Sequence, residues 1–341
     1  MHDTVLRHVS AHGLESLLAP TSLKQHSSMS INDQHIWNAA YNEEYDGLTS
    51  IPTWEIINEQ QFKQLSKGTK PLPSMAISTI KYDEHNKPKR AKYRIVVLGN
   101  LDYHQWSKES TTAPVMSQLE LRLLTSLAVF NKCTLKNCDV KQAFVQSSLP
   151  PSEEYYVRPP IGCPRSSPGT YWHLIRSLYG LRRAPKLWFE KITSHLKSMG
   201  LSNSTSSSCL FFGTLIEGEA PIYVGIYVDD IVYFSPSSTT EKKFEELLST
   251  IGSVDFMGQV THFLGIEFTW HHHPDGNVSV NLTQQSFVEM LLDIWIFLRI
   301  LYLHLVHLIE PVFQLTLYHV KTYLLRNKMI YDYVINLLLE V

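Results

Sequence analysis

The chain has little net charge, few cysteines and no long uninterrupted apolar run, and the last two shortages each remove a class of explanation. Lysine and arginine number 30 against 32 acidic residues, a formal charge of −2. This balance argues neither for nor against nucleic acid, because a near-neutral total can hide a local basic track. Cys133, Cys138, Cys163 and Cys209 lack the paired spacing of a zinc site or a disulfide framework. The N-terminus lacks a basic start followed by an apolar segment, so free thiols in a reducing intracellular compartment are expected. The stretch Ile294–Ile309 approaches spanning length, but Arg299, His304 and His307 interrupt it and Glu310-Pro311 ends it, so no membrane span is expected. Glycine, alanine and serine disappear altogether after Ser286.

What is present is apolar material, 44% of 341 residues, enough for a sizeable core in two domains or one elaborate one. Residues 1–35, rich in Ser, His and Leu without a sustained period, are expected to form a loosely ordered tail. Trp37, Ala40, Glu44 and Leu48 recur at helical spacing, followed by a break at Pro52 and a second short helix. Ala76–Lys81 and Tyr93–Leu98 are β-branched and flank a polar stretch, which predicts a hairpin with a basic second strand. Gln118–Asn131 predicts a buried helix, Thr134–Val140 a strand and Lys141–Ser148 a further helix. Trp172–Leu178 is expected as strand or turn, and Ala184–Met199 as an amphipathic helix. Leu210–Leu215, Ile222–Val228 and Ile231–Phe234 are expected as strands and Glu241–Gly252 as a helix. His262–Trp270 and Val278–Leu282 form another hairpin, with His271–His273 in its loop. Strands interleaved with helices around a central hairpin predict an α+β fold.

The chemistry concentrates in the carboxylates. Pro221–Phe234 is apolar except for Asp229-Asp230, and adjacent desolvated carboxylates repel each other and raise each other's pKa. A tight turn open to water is one resolution; a divalent cation is the other. Asp139, closing the strand before Val140, is the natural third carboxylate for a two-metal site, although a strand-end aspartate also serves as a helix cap. Two basic groups, Lys87–Arg94 and Arg176–Lys186, read on their own as solvated faces.

The wider text resembles one family. Asp139-Val140-Lys141-Gln142-Ala143-Phe144, Tyr156-Val157-Arg158-Pro159-Pro160, Ser177-Leu178-Tyr179-Gly180-Leu181-Arg182-Arg183-Ala184-Pro185 with Trp188, Tyr227-Val228-Asp229-Asp230 and Phe263-Leu264-Gly265-Ile266-Glu267 follow in order. Together with Thr53-Trp54-Glu55 and Lys92-x-Arg94, they resemble the motifs of copia-type retrotransposon reverse transcriptases over about residues 36–292. The resemblance implies a right-hand polymerase of fingers and an antiparallel palm sheet, carrying out RNA-directed DNA synthesis on a primed RNA or DNA template from deoxynucleoside triphosphates. It implies two Mg2+ ions, or Mn2+ in their place, on Asp139, Asp229 and Asp230. It further implies nucleotide contacts from Lys92, Arg94, Phe144 (as a gate against the ribose 2′-OH), Tyr179, Gly180 and Arg183, and a primer grip at Phe263, Leu264 and Gly265. Such a protein would reside in a cytoplasmic particle or the nucleus.

The sequence also departs from the pattern. Arg183 stands where the family commonly has Gln, and Val254–Gly258 lacks the Lys often found before Phe-Leu-Gly. No integrase, protease or ribonuclease H signature is present. Residues 293–341, mostly apolar, replace the expected thumb with what reads as a shifted frame. The competing expectation is therefore an inactive relic that keeps the palm fold and at most binds nucleic acid.

Overall fold

The computed structural model describes residues 17–82, 87–292 and 294–295. The apolar segment 293–341 otherwise lies outside the described residues, as do residues 1–16 of the expected tail. Among the described residues no helix is long and apolar enough to cross a membrane.

In chain order the elements are α1 (Ile31–Ser50), β1 (Trp54–Asn58), α2 (Glu59–Leu65), β2 (Leu72–Tyr82), β3 (Pro88–Val97), α3 (Gln118–Phe130) and β4 (Lys136–Val140). There follow β5 (Tyr156–Arg158), β6 (Thr170–Leu174), α4 (Ala184–Ser198), β7 (Ser202–Asn203), β8 (Leu210–Gly213), β9 (Ile222–Tyr227), β10 (Asp230–Phe234), α5 (Ser238–Leu248) and β11 (Val254–Gln259). The last strands are β12 (His262–Phe263), β13 (Ile266–His272) and β14 (Val278–Thr283). The chain divides into two compact units, one reaching to Val260 and including Trp270–Val280, the other formed by Thr261–Thr269 and the chain from Asn281.

Within the first unit, one sheet runs β1-β6-β5-β2-β3 and a second, antiparallel throughout, runs β11-β4-β10-β9-β8-β7. This is the helix-and-sheet α+β arrangement the sequence predicts, with the six-stranded sheet in the place of the palm. Its core includes Ile192, Ile226, Ile231, Tyr233 and Phe244, all essentially removed from water. The first sheet has its own core, in which Trp54 stacks on Trp172 at 4.2 Å between ring centroids and Trp37 packs edge-on to Tyr93.

Several expectations change. Residues 17–35 were expected in a loose tail, yet Leu17 and Leu23 are buried and the Trp37 indole donates to Leu18 O at 3.2 Å. The long helix starts at Ile31, capped by Ser30. A strand intervenes between Pro52 and the second helix because Trp54–Asn58 pairs with Thr170–Leu174, a partner invisible to local periodicity. α3 is only half buried: Leu121, Leu124 and Ala128 face the core while Leu119 and Leu123 are 77% and 52% exposed. The helix expected over Lys141–Ser148 shrinks to one 3-10 turn, Ala143–Gln146, because Gln142 before it is left-handed at φ 50°. His271 and His272 belong to β13, leaving only His273 in the turn. Edge strand β11 went unpredicted; a bulge between Phe256 and Gly258 breaks its alternation.

Candidate active site

The antiparallel register builds the acidic wall. Asp230 opens β10 directly opposite Asp139 of β4, and Asp139 is in turn opposite Asp255 of β11. Residues directly opposite across antiparallel strands project from the same face. Three carboxylates therefore line up across three strands. Asp255 was not a sequence candidate; its Oδ1 pairs with Lys141 Nζ at 2.8 Å. Only the pairing of β11 could have revealed it.

Asp229 lies in the two-residue turn between β9 and β10, since Tyr227 pairs with Asp230. Its carbonyl accepts the Val140 N–H at 3.1 Å, which ties the turn to the end of β4. Burial, followed by repulsion from Asp229 and Asp139, pushes the Asp230 carboxyl up to about 6. Burial and Asp229 also raise Asp139, against the opposing pull of Lys92 and Lys141. Carboxylates whose charges resist one another suit a site that a cation completes.

The opposite wall comes from β3. Alternation buries Ala91, Tyr93, Ile95 and Val97 and turns Arg90, Lys92 and Arg94 the other way. All three basic residues line a cleft of about 810 Å³, together with Asp139, Asp229, Asp230, Asp255 and Tyr179. Because β3 is a sheet edge, its outward N–H groups need partners from elsewhere. The Ile95 N–H donates to the buried Glu44 Oε1 at 3.1 Å and the Val97 N–H to Tyr179 O at 2.8 Å. Burial pushes Glu44 up to about 7 despite that hydrogen bond and the nearby Lys92 and Arg94.

Glu44 therefore carries a pH signature. Its folded pKa lies above the unfolded value, so the cost of its charge is absent below pH 4.5 and complete above pH 7. Glu44→Gln keeps an acceptor for Ile95 and is expected to stabilise the protein at pH 8.5, by about 3 kcal/mol at most. At pH 4 urea midpoints of variant and wild type should coincide; an equal gap at both pH values would refute the charge explanation.

Other sequence candidates take different places. Phe144 is half-buried, edge-on to Tyr179 at 5.2 Å between centroids, packed against both cores instead of lining the cleft. Gly180 has φ 90° and lies against Val97 so closely that a Cβ would meet the Val97 carbonyl oxygen at 2.0 Å. It joins the Tyr179 turn to β3 and is not part of the lining. Arg183 is withdrawn from the cleft: it pairs with the buried Glu153 at 3.1 Å and its guanidinium lies 5.0 Å from the Trp106 ring. In the second unit, Leu264 and Gly265 form a two-residue turn between paired Phe263 and Ile266, both with positive φ. Two-residue turns with this pattern match the twist of a hairpin. Phe263 is buried, and Glu267 accepts hydrogen bonds from Ser286 Oγ, Ser286 N and Thr283 Oγ1, which hold its carboxyl down at about 2.

Among the described residues no group of three or more His, Cys, Asp or Glu side chains is gathered into a ready-made metal cage. The donor set still fits magnesium, which takes hard oxygens and commonly only one or two protein carboxylates, completing its shell with water and phosphate.

Comparisons with known proteins place the chain in a family. The family model for reverse transcriptase (RNA-dependent DNA polymerase) matches residues 53–294. The Retrovirus-related Pol polyprotein from transposon RE1 of Arabidopsis thaliana is 28% identical over 255 residues, 73% of this chain and 16% of that protein. The putative transposon Ty5-1 protein YCL074W of Saccharomyces cerevisiae is 32% identical over 44% of this chain and 46% of its own length. The Pol polyprotein from transposon TNT 1-94 of Nicotiana tabacum is 27% identical over 80% of this chain and 20% of that protein. The chain thus spans less than a fifth of the RE1 relative and under half of the yeast one. With most of its length under the family model, the chain belongs to the reverse transcriptase (RNA-dependent DNA polymerase) family, in the form carried by copia-type retrotransposon Pol polyproteins.

Proposed function

We propose that this chain is a polymerase core that extends a primer 3′-OH on an RNA or DNA template with deoxynucleoside triphosphates. The observation that supports it most is one cleft with an acidic wall at Asp139, Asp229 and Asp230 and a basic wall at Lys92 and Arg94. The primer 3′-OH gives up its proton to water, its oxygen bonds to the α-phosphorus, the α–β phosphoanhydride breaks, and pyrophosphate leaves with the electron pair. Lys92 and Arg94 compensate the charge gathering on the leaving group. Asp139, Asp229 and Asp230 would hold Mg2+ or Mn2+, which would supply Lewis-acid stabilisation of the charge developing in the displacement. Tyr179, whose hydroxyl burial keeps protonated, shapes the wall between the two charged sets. The primer grip is assigned to Phe263–Gly265 on the motif match alone.

The test is incorporation by the full chain on a primed RNA template with Mg2+. Extension with pyrophosphate release is expected. A folded protein that binds primer–template yet incorporates nothing would instead support the relic reading, in which the fold and nucleic-acid binding outlast the chemistry.

A further inference from the structure

The turn that carries Asp229 has an unusual residue and an unusual support. Val228 sits at φ 57°, in the left-handed region, where a β-branched side chain is a true outlier. Two-residue hairpin turns with a positive φ at the first position favour glycine there. Holding valine in this conformation is strained, and such strain persists only where surroundings over-determine it.

The support is Trp188 of α4. Its side chain is 1% exposed, and its indole Nε1–H donates to Val228 O at 2.7 Å. The next carbonyl, of Asp229, accepts the Val140 N–H at 3.1 Å. Both carbonyls of the turn are thus held, one by a side chain of α4 and the other by the end of β4. If Val228 turned about its N–Cα bond to leave the left-handed region, its carbonyl would swing away from the indole. A buried N–H without acceptor or water costs about as much as the strain it would relieve. The tryptophan and the valine oppose each other, and the peptide plane between them sets the direction in which Asp229 departs.

We propose that Trp188 is a positioning residue for the acidic wall: its buried indole N–H fixes the Val228–Asp229 peptide and so orients Asp229 beside Asp139 and Asp230. For catalysis this rests on the polymerase reading; for the turn it does not.

The experiment uses the full chain. Trp188 is replaced by Phe and, separately, by 3-benzothienylalanine, which keeps the bicyclic shape and puts sulfur in place of N–H. Each change is also combined with Val228→Gly, for which a positive φ carries no penalty. Amide hydrogen exchange at Val140 is read without metal or nucleotide, so an inactive chain still gives an answer. The sulfur analogue is expected to speed that exchange about tenfold, the loss of one hydrogen bond's worth of protection. Val228→Gly should return it to within about twofold of wild type. On primed template, kcat should fall about tenfold or more while the nucleotide KM moves little, with the same rescue. Val140 exchange unchanged by the sulfur analogue, or changed and not rescued by Val228→Gly, overturns the proposal. If Trp188→Phe fails to fold, the analogue, which preserves volume, decides.

Discussion

Asp230→Asn is expected to yield a protein that is at once more stable and inert. The stability gain follows from the carboxyl's folded pKa of about 6, raised by burial and by Asp229 and Asp139. With the folded value above the unfolded one, the native state holds the proton more tightly. Stability therefore falls as pH rises from below 4 through 6, and the full cost is present above that. Removing the charge recovers this cost, discounted to about 1 kcal/mol because the site opens to solvent. At pH 8 the melting temperature should rise by roughly 2 °C; at pH 3.5 it should not move. Primer extension, on the proposed reading, should drop about 1,000-fold or more in both Asp230→Asn and Asp229→Asn, because a developing negative charge loses the cation these groups hold. Added Mg2+ should raise the melting temperature of the wild type more than that of either variant. A variant that loses stability together with activity would show that the carboxylates are structural and not strained for a cation.

The second large effect is expected at a glycine. Gly180→Ala puts a methyl group 2.0 Å from the Val97 carbonyl oxygen at a residue with φ 90°, where neither partner is a flexible side chain. Backbone must move on one side, and the Val97 N–H bond to Tyr179 O lies within the same contact. The cost should reach about 4 kcal/mol in urea unfolding, or prevent folding altogether. Gly169 and Gly218 supply the comparison: both have positive φ and nothing within 4 Å of a would-be Cβ. Alanine there should cost only about 1 kcal/mol, the backbone penalty without the collision. Equal losses at Gly180 and Gly218 would rule out the close approach of the Tyr179 turn to β3. Gly180 acts on the cleft indirectly, through placing Tyr179 and bracing the strand that carries Lys92 and Arg94.

Local order proved readable wherever the signal lay within a few residues. The alternation in Tyr93–Val97 buries one face and frees Lys92 and Arg94 for the other. The apolar strands around Asp229-Asp230 could pair only as a hairpin, and Ser117 with Glu120 caps α3 as its sequence specifies. Residues whose environment arrives from far along the chain resisted. Arg183 looked like a cleft residue until Glu153 and Trp106 claimed it, and Phe144 until Tyr179 covered it. Trp54–Asn58 became a strand only because Thr170–Leu174 lay beside it.

The sequence alone determined the order of the motifs, the carboxylates and cations available, and the face of each strand on which they lie, because side-chain direction alternates with every residue. Tertiary structure alone decided that Asp255 joins Asp139 and Asp230 in one row, that Glu44 reaches the edge of β3, and that a buried tryptophan holds the Asp229 turn. Those facts depend on which strands become neighbours and which donors lose their water, and both are settled only when the sheet closes over its core.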